Sequence, residues 1–400
     1  MLDFFKQPIS LKRMPSMPTM PTLGTPSAGA LRRAGGQRAK RTRNLTGVEI
    51  EPGQLIAAQS RVNGHVVVER AAGKPIAANL VRDGEVSDVT GLSDALRELF
   101  EGTGLDRRVR LGIANQRIVM RQIELPPITD PKELHSAVQF QAQDEIPMPI
   151  ESVVLDYHVL GIADTPAGPR MQVLLVAARR DMVERMLLAA RQAGLRPEGV
   201  DLAAFGMIRA LRPLDGVEDE QVLYLSIGGL TNLAIARGAT CQFTRVITTG
   251  VEQIVAEVAA NAGVPLADAR KLVAGAGAES EKPQPVPAEA PLTGDAGAAA
   301  PVDHGELART ALSDGIRRIA AEVRNSLDFH LSSHGDGAVS RAVLTGPALD
   351  LPGFDTALGR ELGLTLTRGA VEVSDEAAVG HVPMSRLAVA AGLSLVEGPQ

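Results

Sequence analysis

Residues 223–238, LYLSIGGLTNLAIARG, consist of two apolar stretches separated by Gly228 and Gly229. This pattern predicts a β-hairpin, and a hairpin turn of two glycines has two common uses. In an ordinary hairpin the glycines supply the positive φ angles of the turn. In a phosphate-binding turn the bare backbone presents its N–H groups to the anion without Cβ atoms in the way. Gly228, Gly229 and Thr231 fit the second use, but the turn by itself does not distinguish the two.

A similar layout occurs earlier in the chain, where residues 45–70 alternate as strands joined by a turn at Gly53. A third glycine, Gly346, follows an apolar strand and precedes a helix, which is the usual place for a ligand in an open α/β sheet. The two halves therefore predict a duplicated α/β architecture. Glycine turns in two similar halves resemble the arrangement of the actin, Hsp70 and sugar-kinase ATPases. In those proteins two facing hairpins hold the phosphates of ATP.

The segment between the halves predicts a β-β-α-β-β-α unit at residues 107–198, inserted into the first half. Residues 45–106 and 199–220 then form the first domain, and residues 221–400 form the second. The Pro-rich stretch 276–305 has no apolar periodicity and predicts a flexible loop. Residues 1–44 contain nine Lys and Arg against one Asp and little apolar content, so they predict a disordered basic tail.

Composition excludes several classes of protein. Aromatic residues make up 2% of the chain and Trp is absent, which argues against a stacking surface for single-stranded nucleic acid. Cys241 is the single cysteine, so no intramolecular disulfide can form. The sequence has neither an apolar run of about 18 residues nor a secretory signal, and we predict a cytoplasmic protein.

Residues 140–160, FQAQDEIPMPIESVVLDYHVL, resemble the signature of the PilM family, actin-like proteins of type IV pilus assembly. Further segments are similar to that family in the same order, over about residues 45–275 and 306–396. The resemblance implies two actin-like (ribonuclease H-like) domains around a nucleotide cleft, with a small inserted α+β subdomain shared with FtsA. It also implies ATP and Mg²⁺ in the cleft, and a groove for the cytoplasmic N-terminus of the membrane protein PilN.

The resemblance further implies a location at the inner face of the cytoplasmic membrane, reached mainly through partners such as other platform proteins and the assembly ATPase. It leaves a homo-oligomer open. We assign the predicted partner groove to Val119, Arg121 and Ile123, on a strand whose backbone could pair with an extended peptide. An equally good interpretation makes them internal strand residues. The predicted cofactor residues are Glu49, Gly53, Gln54, Gly228, Gly229, Thr231, Asn232, Glu252, Lys271 and Gly346.

The first turn departs from the family pattern. Glu49 stands where the family has the Asp that organises Mg²⁺, and could still hold the ion through water. Glu51 and Pro52 replace Gly and Ser, and Ile56 replaces a phosphate-facing Lys. A carboxylate about 4 Å from a phosphate charge costs about 4 kcal/mol at an effective dielectric constant of 20. We therefore predict that the protein binds nucleotide weakly and is a scaffold in which nucleotide acts as a conformational ligand and is not hydrolysed to drive work.

Two alternatives stay open from the sequence. One is an active ATPase or kinase of the same superfamily, although no Asp base facing a substrate hydroxyl is evident. The other is a filament protein tethered to the membrane like FtsA, with the N-terminal MLDFFK as its anchor.

Overall fold

A computed structural model describes residues 45–166, 168–213, 220–277, 303–334, 339 and 341–395. The predicted tail at 1–44 and most of the predicted loop at 276–305 lie outside the described residues. Among the helices of the described segments, none has the length and apolar character needed to cross a bilayer.

The strands, in chain order, are β1 Thr46–Glu51, β2 Gln54–Val62, β3 Val66–Pro75, β4 Val81–Arg82, β5 Glu85–Val86, β6 Arg108–Ile113, β7 Val119–Leu125, β8 Val153–Thr165, β9 Gly168–Arg179, β10 Arg196–Leu202, β11 Gln221–Ile227, β12 Thr231–Arg237, β13 Thr240–Ile247, β14 Arg341–Thr345, β15 Leu366–Arg368 and β16 Glu372–Val373. The helices are α1 Val89–Phe100, α2 Pro131–Glu145, α3 Arg180–Gln192, α4 Ala203–Leu211, α5 Val251–Ala262, α6 Leu266–Ala276, α7 His304–His334, α8 Phe354–Leu362, α9 Glu376–Val379 and α10 Ala388–Ser394. Short 3₁₀ turns span Ile150–Ser152, Pro347–Asp350 and Met384–Arg386.

The first domain is built on a six-stranded sheet of order β10-β6-β1-β2-β3-β16. β1 pairs antiparallel with β2 and parallel with β6, so the sheet is mixed. Helix α1 packs against it beside α3. Helix α1 is capped by Asp88, whose carboxylate accepts a hydrogen bond from the Gly91 N–H.

The second domain is built on a five-stranded sheet of order β13-β12-β11-β14-β15. Successive residues of β11 enter different cores: Leu223 and Leu225 pack under α5, α6, α7 and α8, whereas Val222 and Tyr224 face the core that contains α4. Both faces of this strand are therefore buried, which explains its unbroken apolar sequence. The two similarly built sheets, each with a hairpin at its start, confirm the predicted α/β class.

Helices α4 and α10 cross between the two sheets. An ideal Cβ at Gly392 in α10 would lie 1.8 Å from the carbonyl oxygen of Gly206 in α4, so a side chain at this crossing would prevent the contact. Helix α10 also packs on β1 and β2, and β16 pairs parallel with β3. Residues 371–395 therefore return to the first domain, which corrects the predicted second domain of 221–400. The chain pattern could not reveal this return, because it depends on contacts between distant segments.

The inserted unit is smaller than predicted. β6 and β10, both assigned to an insertion at 107–198, lie in the main sheet next to β1, and α3 packs against α1 of the first domain. A separate three-stranded sheet of order β7-β9-β8 covers residues 119–179 together with α2. Helix α2 follows Asp130, which caps it, has Pro131 in its first turn, and ends before Pro147. We propose residues 114–179 as the insertion.

Candidate functional site

The turns of the two domains face each other and are in direct contact. The β1–β2 turn contains Pro52 and Gly53, and Gly53 has a φ of +91°, which favours glycine. The β11–β12 turn contains Gly228 and Gly229. An ideal Cβ at Gly229 would lie 2.2 Å from the carbonyl oxygen of Pro52, so any side chain there would push the turns apart. The structure thus brings together the predicted glycines of both hairpins.

The side chain of Glu51 lies between the two turns. Its Oε2 accepts a hydrogen bond from the backbone N–H of Gly229 at 3.3 Å and one from Nε2 of Gln54 at 3.4 Å. The same oxygen lies 2.3 Å from the position that a Cβ of Gly228 would take. Glu51 is 4% exposed, so it is buried in the glycine turn of the other domain.

Glu49 and Glu51 form a pair of buried acids. Burial raises the pKa of Glu49 well above its usual value, and both the Glu51 charge and the hydrogen bond with Glu51 raise it further. The pKa of Glu51 is raised to about 7, mainly by burial. Hydrogen bonds from Gly229, Gln54 and Glu49 lower this pKa and oppose part of the effect of burial. Burial and the neighbouring Glu51 therefore both favour the protonated form of Glu49.

The third predicted turn contacts a segment from the C-terminal part of the chain. Gly346 N–H and Thr345 Oγ1 both donate to the carbonyl oxygen of Ser385, at 2.8 and 2.7 Å. Arg386 donates to Asp350 with an Nε–Oδ2 distance of 2.6 Å. Its Nη1 also donates to Oε1 of the predicted residue Gln54 at 3.2 Å. Arg386 thus joins the third turn to the first hairpin.

The predicted residues Glu252 and Lys271 have different positions. Glu252, in the first turn of α5, lies against Gly53, where an ideal Cβ would be 2.9 Å from the Glu252 Cδ. Its carboxylate is paired with Arg270, whose Nη2 lies 2.9 Å from Oε2. Lys271 is paired with Asp268 on its own helix, and 80% of its side chain is exposed. Of these two residues, only Glu252 is brought to the turns.

Thr231 and Asn232 are buried beneath the second turn. The Thr231 hydroxyl donates to the carbonyl oxygen of Thr249 at 2.7 Å, so it stabilises the loop before α5. Asn232 is 3% exposed and lies opposite Ser226 on β11. Both side chains pack inside the second domain, and neither is among the described residues that line the cleft.

The cleft between the turns is narrow. Its lining includes Glu49, Gln54, Gly346 and Arg386, and its empty volume is about 180 Å³. Pockets for small ligands are typically about 300–1,000 Å³. The cation in the described lining, Arg386, is paired with Asp350.

The residues present do not fit Mg²⁺ and ATP in this conformation. The predicted Mg²⁺ residue, Glu49, is buried, and its raised pKa disfavours the charged form that would hold the ion. No group of three or more His, Cys, Asp or Glu in the described segments could hold a metal ion. The Glu51 carboxylate further occupies the space in front of Gly228 and Gly229.

Sequence reasoning missed Ser385, Arg386 and Asp350. Arg386 and Gln54 are 332 positions apart, and residues 382–386 carry no motif that indicates a site. Glu51 stood out as an unfavourable substitution, but its contact with Gly229 depends on how the two domains close on each other.

The three residues predicted to bind a partner lie on β7, at one edge of the small sheet. β7 pairs on one side with β9, and no strand is paired with its other side in the described residues. Arg121 is exposed, Val119 is half-buried, and Ile123 is 4% exposed in the core against α2. Ile123 therefore matches the alternative interpretation of an internal strand residue.

A family model described as type IV pilus assembly protein PilM matches residues 48–277, more than half of the chain. The chain belongs to the PilM family. The structure is similar to a solved PilM–PilN type IV pilus biogenesis complex, with a TM-score of 0.67 at 24% identity over 88% of this chain and 97% of that one. Together these findings confirm the predicted PilM resemblance and the two-domain actin-like fold.

More distant structures show weaker similarity. Ethanolamine utilization protein EutJ from Carboxydothermus hydrogenoformans has a TM-score of 0.48 at 14% identity, over 87% of this chain and 88% of that one. MreB5 of Spiroplasma citri, solved bound to ADP, has a TM-score of 0.48 at 12% identity, over 88% of this chain and 95% of that one.

Proposed function

We propose that this PilM-family protein is a scaffold of the type IV pilus inner-membrane assembly platform, and that it binds the N-terminal cytoplasmic peptide of a PilN protein. The observation that carries the proposal is the family match over residues 48–277. Similarity to the fold of a PilM–PilN complex supports the choice of partner. The protein would lie at the inner face of the cytoplasmic membrane through this partner, next to other platform proteins and the assembly ATPase.

The unpaired edge of β7 supports strand addition as the way of binding. An extended peptide could pair its backbone with the side of β7 that faces away from β9, while Arg121 contacts a peptide side chain. Val119 would border the peptide, and Ile123 would contribute through the core that holds the strand in place. No nucleotide enters this proposal, and the predicted weak binding of ATP and Mg²⁺ is not part of it.

Titration of the full chain with a synthetic PilN N-terminal peptide tests the proposal by fluorescence anisotropy. We expect saturable binding, weakened about tenfold or more by Arg121→Glu, because reversing the charge of an exposed contact residue disfavours the cognate peptide. Arg61→Glu, a charge reversal on an exposed arginine of the first sheet, is the matched control and should bind like the unmodified protein.

Phe140 tests a second position for the peptide on the same unit. This side chain on α2 is 70% exposed, and exposed aromatic residues often mark contact surfaces. If Phe140→Ser weakens binding and Arg121→Glu does not, the peptide lies on α2 and strand addition to β7 is wrong. Absence of any binding by the unmodified chain would contradict the proposed partner.

A further inference from the structure

The backbone donors of the second glycine turn are already used inside the protein. The Gly228 N–H donates to the carbonyl oxygen of Leu230 at 2.8 Å, and the Val251 N–H at the start of α5 donates to the carbonyl oxygen of Gly228 at 2.8 Å. The Gly229 N–H donates to Glu51. A phosphate bound here would need these N–H groups, because a turn of this kind holds anions through its backbone.

The opposite turn supplies a hydrogen-bond acceptor of the protein's own. Glu51 extends from the end of β1 across the contact between the domains. Its Oε2 lies where a Cβ of Gly228 would be, so it fits only because Gly228 has no side chain. Pro52, the next residue, has no N–H to offer a phosphate. The first turn therefore presents an acceptor to the second turn, instead of a second set of donors to a shared ligand.

The ionisable side chains next to Glu51 are also acidic, which does not favour a bound polyphosphate. Glu49 lies beside Glu51 on β1. Glu252 of α5 lies against Gly53 at the tip of the first hairpin and is paired with Arg270. Ile56, where a phosphate-binding chain would need a cation, is buried in an apolar core.

We propose that the Glu51 carboxyl group is a built-in ligand of the Gly228–Gly229 turn. It occupies the place where this fold would receive nucleotide phosphate, and it keeps the two domains closed without nucleotide. The proposal concerns the cleft and is independent of the peptide site on β7.

Two measurements on the full chain test this. Calorimetric titration of the unmodified protein with MgATP and with MgADP should give no binding with a Kd below about 1 mM. Hydrogen exchange should show a protected Gly229 amide, and Glu51→Ala should accelerate its exchange about tenfold or more, because the bond to the carboxyl group is lost. Glu69→Ala, which removes an exposed carboxylate of the first sheet, is the matched control and should leave this amide unchanged.

Tight binding of MgATP by the unmodified protein would overturn the proposal, and so would unchanged exchange in Glu51→Ala. Glu51→Gln keeps the shape and an acceptor oxygen, so it remains informative if the Ala variant fails to fold. We expect it to protect the Gly229 amide and to bind no MgATP. Binding of MgATP by Glu51→Gln would mean that charge, and not occupancy, excludes the nucleotide, which also contradicts a built-in ligand.

Discussion

The two hairpin turns that meet between the domains differ in their chemistry. The second turn, Gly228–Gly229, is bare backbone with an N–H group directed outward, whereas the first turn carries Glu51 and Pro52. In an arrangement where two turns share one ligand, both would have to supply donors. Here one supplies the donor and the other the acceptor, so the turns complement each other. Two facing hairpin turns can therefore hold the domains closed in place of binding a ligand.

The largest effect is expected from placing a side chain in the second turn. Gly229→Val would direct its Cβ at the Pro52 carbonyl oxygen, 2.2 Å away, and a backbone atom cannot rotate aside. We expect a loss of about 3 kcal/mol in the free energy of unfolding, measured by urea denaturation.

Gly275→Ala is the control for Gly229→Val. This glycine lies inside α6 with nothing within 4 Å of an added Cβ, so alanine should raise stability by up to about 1 kcal/mol. If both variants have the stability of the unmodified protein, the turns are not in contact in solution.

The next effect concerns the first turn and depends on pH. The pKa of Glu51 is raised from 4.5 to about 7 in the folded protein, so folding favours its protonated form. Its contribution to stability is therefore fully present below pH 4.5 and is lost as the pH rises towards 7. The difference between the unmodified protein and Glu51→Gln should change by on the order of 3 kcal/mol over this range, in parallel urea titrations. A constant difference would show that Glu51 is exposed and the cleft open.

The smallest effect is expected from Arg386, which joins the third turn to the first hairpin. Arg386→Ala removes its bonds to Asp350 and Gln54, and because these side chains are partly exposed we expect a loss of about 1 kcal/mol. Arg317→Ala, which breaks an exposed pair with Asp314 on α7, should cost about 0.5 kcal/mol or less. Equal losses in the two variants would show that Arg386 does not stabilise the contact between the domains.

Local patterns predicted many elements well. The strands around Gly53 and Gly228 form the expected hairpins. Helices α5 and α6 are separated by Gly263 and Pro265. These breakers were visible in the sequence, whereas the return of α10 to the first domain was not.

The sequence by itself determined the α/β class, the two hairpins, the glycines of their turns and, through its resemblance, the family. These features depend on local periodicity and on residues close together along the chain. Tertiary structure decided that β6 and β10 join the first sheet and that α10 packs on it. It also decided that Glu51 accepts a hydrogen bond from Gly229, 178 positions away. Such contacts depend on the relative position of two domains, and no local propensity encodes it. The same glutamate is therefore an unfavourable substitution in the sequence and a hydrogen-bond acceptor in the folded protein.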